Sequence, residues 1–196
     1  MVFPTHALGR PPCLPLSIIN YLETRVDDKN GCRQTNGVAM WNVPGAPQTT
    51  TTAVVGMAPA SGNGVGPAPF AFTFSDTKGI QDFGVQNILV NGALDGRGAC
   101  YLAYARPYNV LFLMNDAGAA LLPGQSMAAA GALSNSQCTV SWGAMAVSTS
   151  GNNLTVNLSI SFSAAFDGNR IFFLASRDLT DANNTGWQAV GTFTVQ

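Results

Sequence analysis

The sequence predicts an all-β fold, a sandwich of antiparallel sheets, and three observations carry that prediction. Strong exposed helix formers are nearly absent: Glu23 is the only glutamate, Lys29 and Lys78 are the only lysines, and Thr, Ser, Asn, Val and Gly abound. About eight or nine short segments alternate apolar residues with small or polar ones, as half-buried strands do. The other acids are all Asp, often beside Gly or Asn, where turns place them. A β-barrel is the alternative arrangement of the same strands.

Residues 1–52 differ from the rest. Pro4, Pro11, Pro12 and Pro15 keep the start extended. Leu16, Ile19, Leu22 and Val26 then recur at near-helical spacing, which leaves room for one short helix over 16–26, stopped by Asp27-Asp28-Lys29-Asn30-Gly31. Pro44-Gly45-Ala46-Pro47, Gln48 and four threonines read as a linker, so a boundary falls near residue 52. The leading part is an irregular N-terminal extension, read as the remnant of a preceding domain.

The sandwich then occupies residues 53–196. Ala53–Met57 forms a first strand, and Ser61-Gly62-Asn63-Gly64 a turn. Phe70, Phe72 and Phe74 give a half-buried strand; Val85–Val90 follows, ended by Asn91-Gly92. Ala99–Ala105 and Asn109–Met114 flank Arg106-Pro107-Tyr108 as a hairpin, and Gln137–Trp142 is another strand. Leu154, Val156, Leu158, Ile160 and Phe162 give the cleanest alternation in the chain. Arg170–Ser176 is more continuously apolar, as a central strand is. Trp187, Ala189, Gly191, Phe193 and Val195 are expected to share one face of the last strand.

Four cysteines, at 13, 32, 100 and 138, include no C-x-x-C, and His6 is the only histidine, so a zinc site lacks its usual paired spacing. Cys100 and Cys138 both fall in β-like segments of one domain and are paired on that ground; Cys13 and Cys32 then pair by elimination. Four buried free thiols in a cytosolic protein are the alternative. Disulfides would place the chain outside the cytoplasm, at the cell surface or beyond it. No basic segment followed by an unbroken apolar stretch marks a signal peptide, and no run is long enough to span a membrane. The expectation is a fragment of a larger exported protein.

Several further segments carry a resemblance. They are Phe70-Ala-Phe-Thr-Phe-Ser-Asp76, Asn87-Ile-Leu-Val-Asn-Gly92, Leu94-Asp-Gly96 and Ala99-Cys-Tyr-Leu-Ala-Tyr104. The order continues with Val110-Leu-Phe-Leu-Met-Asn-Asp116, Ser134-Asn-Ser-Gln-Cys-Thr139, Phe172-Phe-Leu-Ala-Ser-Arg-Asp178 and Gly186-Trp-Gln188. Together they resemble an Ig-like or fibronectin type III-like module that recurs in large secreted bacterial proteins of the Acidobacteria type. The resemblance covers roughly residues 53–196 and implies an Ig-like fold, export and a Cys100–Cys138 bridge. It brings no catalytic residues. Trp142 follows the second cysteine, so the antibody-type Cys…Trp…Cys order is missing.

Charge and composition exclude several activities. Lys+Arg number 9 against Asp+Glu 10, which argues against an electrostatic nucleic-acid binder. Nucleophilic catalysis wants a base beside the nucleophile, and His6 sits in the Pro-rich start. Asp76, Asp82, Asp95, Asp116, Asp167, Asp178 and Asp181 offer carboxylate pairs for glycosidase chemistry, yet nearly all lie at expected turns. Gly62-Asn-Gly64-Val-Gly66 lacks the Lys and the following helix of a phosphate loop. Asp178, Asp181, Asn183 and Asn184 could hold Ca²⁺ in one loop, although their spacing is not that of an EF-hand; a hydrogen-bonded turn is the plainer account.

The expected function is a non-catalytic structural or adhesion module with no cofactor and no metal, whose partners are neighbouring domains or surface proteins. A polysaccharide-binding accessory domain of a secreted enzyme is the alternative. It requires two or three of Tyr101, Tyr104, Tyr108, Trp142 and Trp187 to lie exposed and co-planar.

Overall fold

The computed structural model describes residues 51–196. The 16–26 helix, His6 and the Cys13–Cys32 pairing lie outside these residues. Thirteen strands run in chain order: β1 Thr52–Ala58, β2 Ser61–Asn63, β3 Ala68–Asp76, β4 Phe83–Asn91, β5 Cys100–Ala105, β6 Val110–Leu113, β7 Gln125–Ser126, β8 Gly131–Ser134, β9 Cys138–Trp142, β10 Val147–Ser150, β11 Asn153–Phe162, β12 Gly168–Asp178 and β13 Gln188–Val195. The only helical elements among the described residues are single 3₁₀ turns at Ile80–Asp82, Arg106–Tyr108 and Ala164–Phe166. None of them is long and apolar enough to cross a membrane.

Two sheets form the sandwich. The first has the order β1-β3-β11-β9-β8, with β10 also paired to β11; the second runs β2-β13-β12-β4-β5-β6-β7. In connectivity, β1-β3-β11-β9 stand where strands A, B, E and D stand in a variable-type immunoglobulin sandwich. β13-β12-β4-β5-β6 stand where G, F, C, C′ and C″ stand. The fold is therefore an Ig-like sandwich, not a closed barrel. One pair departs from the antiparallel expectation: β2 runs parallel to β13 through Ser61↔Thr192, Gly62↔Phe193 and Asn63↔Thr194.

Alternation along the strands builds the core. Phe70, Phe72 and Phe74 of β3 and Leu154, Val156, Leu158 and Ile160 of β11 point inward from the first sheet. Ile88, Val90, Leu102, Phe172, Leu174 and Phe193 meet them from the second. In antibody domains a disulfide joins strands B and F. Here aromatic rings fill that place, with Phe70 and Phe72 lying 5.0 and 6.0 Å from Phe172 between centroids. The disulfide sits elsewhere in the sandwich: Cys100 of β5 is bonded to Cys138 of β9, tying one sheet to the other.

Two expectations need correction. Ser61–Asn63 is a strand as well as part of a corner, because Gly62 has no side chain and lets the Phe193 ring lie against the backbone. The last strand does not keep one face. A bulge opposite Phe172 and Phe173 pairs them with Gly191 and Ala189, leaving Val190 extra. Phe193 and Val195 therefore enter the core, while Trp187 turns to the outer face of the second sheet.

That outer face carries a second apolar layer of Leu89, Ala99, Tyr101, Met114, Phe173, Ala175 and Trp187, partly covered by Leu94 and Leu121. The continuous apolar run of β12 has its reason here: Phe172 and Leu174 face the core, and Phe173 and Ala175 face outward into this layer.

Candidate functional site

A shallow cleft opens beside the second apolar layer, lined by Asn87, Tyr101, Ala175, Ser176, Arg177, Asn184 and Trp187, with about 290 Å³ including the solvent open to it. β4 contributes Asn87, β5 Tyr101 and β12 Arg177, three neighbouring strands whose pairing sets the side chains in register. The Tyr101 hydroxyl donates to Asn87 Oδ1 at 3.1 Å, and its ring meets Trp187 edge-on, with centroids 5.6 Å apart. Arg177 is buried to the guanidinium and pairs through Nη1 with Asp181 Oδ1 at 3.0 Å. Burial pulls its pKa down, against the opposing pull of Asp181 and Tyr101. No signal in the sequence singled out Asn87 or Arg177 for a cleft, because their meeting there depends on how three strands align.

The loop after β12 is spent on itself. Asp178, buried, accepts from Thr180 N and Oγ1, Ala182 N and Asn183 Nδ2 at 2.9, 3.0, 3.1 and 2.5 Å. Burial alone would raise its pKa; the hydrogen bonds from Asn183, Thr180 and Ala182 outweigh it and hold the carboxyl below its usual range. With Asp181 turned to Arg177 and Asn183 presenting its amide N–H to Asp178, these side chains do not converge as calcium ligands; they make the hydrogen-bonded turn.

The other aspartates are likewise occupied at corners. Asp95 holds Arg97 through two close contacts, Nε to Oδ1 at 3.0 Å and Nη2 to Oδ2 at 2.6 Å. Asp116 accepts from Ser136 Oγ and N, and those bonds lower its pKa. Asp167 lies in the exposed corner before β12, where its carbonyl accepts from Arg170 Nη2. Lys78 reaches Asp82 at 3.5 Å, and its backbone N–H caps Asp76 Oδ1 at 2.8 Å. No group of three His, Cys, Asp or Glu side chains among the described residues is arranged to hold a metal.

The aromatic candidates do not make a platform. Tyr104 is buried with its hydroxyl on Asn109 Oδ1 at 2.9 Å, and Trp142 is buried with its indole N–H on the Ala129 carbonyl at 3.0 Å. Tyr101 and Trp187 are buried in the outer layer with their rings at 66°. Tyr108, 79% exposed, stands apart from them on the β5–β6 corner.

A scan against protein-family models matches no family, and a search of curated proteins finds no similar sequence.

Proposed function

We propose that this chain is a non-catalytic Ig-like module of an exported or surface protein, acting as a spacer or adhesion unit between neighbouring domains. One observation carries the reading: the chain enters the sandwich at one pole and leaves it at the other. Thr52 pairs with Asp76 and bonds the Asn183 carbonyl at 2.5 Å, so β1 begins at the pole formed by the ends of β3 and β12. Val195 pairs with Gly168 at the opposite pole, where β12 begins. Successive units joined this way extend in a line, and a load applied through both ends runs along the strands. The bridge between the sheets at Cys100 and Cys138 resists their separation, and a disulfide persists best in an oxidising compartment. The edges of the second sheet end in strands of 3 and 2 residues, which limits uncontrolled edge pairing and favours contacts through poles and faces.

The test is retention of the purified chain on cell envelopes of its native host, run beside a polysaccharide panel and a screen of hydrolase substrates. The proposal expects saturable retention on envelopes, no polysaccharide binding and no turnover. Turnover that disappears on changing a single Asp would overturn it in favour of an enzyme.

A further inference from the structure

At the pole where the chain enters the sandwich, three side-chain oxygens are stripped of water and accept no hydrogen bond: Thr51 Oγ1, Asp76 Oδ2 and Asp82 Oδ2, the last meeting only the Lys78 ammonium at 3.5 Å. Asp76 is wholly buried at the inward-facing end of β3. Its Oδ1 takes the Lys78 N–H, but nothing satisfies Oδ2.

The three groups belong to one corner. Thr77 N donates to the Thr51 carbonyl at 2.9 Å, Gly79 N to the Asp76 carbonyl at 3.0 Å, and Asp82 N to the Gly79 carbonyl at 3.0 Å. Leu179 N closes it from the other sheet by donating to the Asp82 carbonyl at 2.8 Å. Asp178, beside Leu179, brings a third carboxylate whose oxygens are already used by its own loop. Among the described residues, Lys78 is the one ammonium set against Asp76 and Asp82, and its side chain is half-exposed.

A buried acceptor without a donor costs free energy, and a buried carboxylate costs more. Several acceptors at one negatively charged corner, all oxygen and none sulfur or imidazole, make the donor set that a hard divalent cation uses. We propose that Asp76, Asp82 and Thr51 form a binding site for a hard, oxygen-seeking divalent cation of the Ca²⁺ class. The two carboxylates supply the charge, the Thr51 hydroxyl a neutral oxygen, and water completes the shell. The site is distinct from the 178–184 loop, whose carboxylates already have partners. The cation would fasten the first residues of β1 to the β3–β4 corner, and so fix the direction in which the chain enters the sandwich. The proposal does not depend on the adhesion reading, since it concerns the fold's own oxygens.

The test is calorimetric titration of the metal-depleted full chain with CaCl₂, with thermal melting in Ca²⁺ and in EDTA. Affinity on the order of 0.1–1 mM is expected, the range of extracellular calcium modules, together with a higher melting temperature in Ca²⁺. Asp76→Asn and Asp82→Asn should each weaken binding at least about tenfold. Asp76→Asn should melt no lower than wild type in EDTA, which separates a lost ligand from a damaged fold. Asp82→Asn, at a partly exposed position, serves as the second variant. Asp181→Asn should bind Ca²⁺ as wild type does. Absence of saturable heat and of any Ca²⁺-dependent melting shift would overturn the proposal, as would binding lost in Asp181→Asn but kept in both corner variants.

Discussion

Cys100 and Cys138 hold the two sheets together from strands that never pair with each other, their Cα atoms 5.7 Å apart and 38 residues apart in sequence. Both half-cystines are buried in the main core, beside the inward faces of both sheets. In the chain-entropy account, closing a loop of that length stabilises the fold by about 4 kcal/mol, less any strain. The double variant Cys100→Ala/Cys138→Ala should therefore lose about 2–4 kcal/mol in urea unfolding, with nearly unchanged far-UV circular dichroism at low denaturant. Reduction of the wild-type chain should lower its midpoint in the same direction.

Gly62 is held small by Phe193. A Cβ at 62 would lie 2.8 Å from Phe193 Cε2, and that ring is packed against Phe70 and Phe162 with centroids 5.7 and 5.4 Å away. Gly62→Ala should cost about 1–3 kcal/mol by overpacking, measured by denaturant unfolding. Gly66→Ala, where a Cβ meets nothing within 4 Å, is the control and should change little.

Asp178 and Asp76 should respond to pH in opposite senses. The folded pKa of Asp178 lies below the ordinary 3.8, so its contribution is present above that value and is lost as pH falls through the folded pKa. Asp178→Asn should cost about 2–3 kcal/mol near neutrality, because an amide cannot accept all four loop donors. The cost should shrink as pH falls below 3.8 and on through the lower folded pKa, where the wild-type carboxylate itself takes up a proton.

Asp76 has a folded pKa above the ordinary 3.8, first because it is buried, with Asp82 and Asp178 adding to the rise and the Lys78 N–H and ammonium opposing it. Its contribution is full below 3.8 and is lost as pH rises through the folded pKa. In EDTA, Asp76→Asn should remove the part of the stability loss that wild type shows as pH rises above about 4, read from melting temperatures across the acidic-to-neutral range.

Met145 is 87% exposed and sits at φ 65°, a left-handed conformation that costs an L side chain about 1 kcal/mol. Met145→Gly should raise stability by about 0.5–1 kcal/mol, measured by thermal melting, with no change in the sandwich.

Much of this architecture was legible in the sequence because its strands alternate. Phe70-Phe72-Phe74 and Leu154 through Phe162 name the inward face of β3 and β11 directly. The pairing of Cys100 with Cys138 followed from their β-like surroundings. Strands β7, β8 and β10 escaped notice because they are short, rich in Gly, Ala and Ser, and carry little apolar contrast. The bulge at Val190 was invisible because it depends on the partner strand, and it divides the Trp187-to-Val195 series between two layers. The Asp76 corner was hidden for a related reason. An aspartate before Thr77-Lys78-Gly79 reads as ordinary turn chemistry until β3 carries it inward between the sheets.

The central claim is that this sandwich works outside the cytoplasm as a disulfide-tied module, and an immunoblot of host cell fractions tests it most directly, run with and without reductant. The account predicts an extracellular or surface-bound species whose mobility changes on reduction. A reduced species found only in the cytoplasm would contradict it.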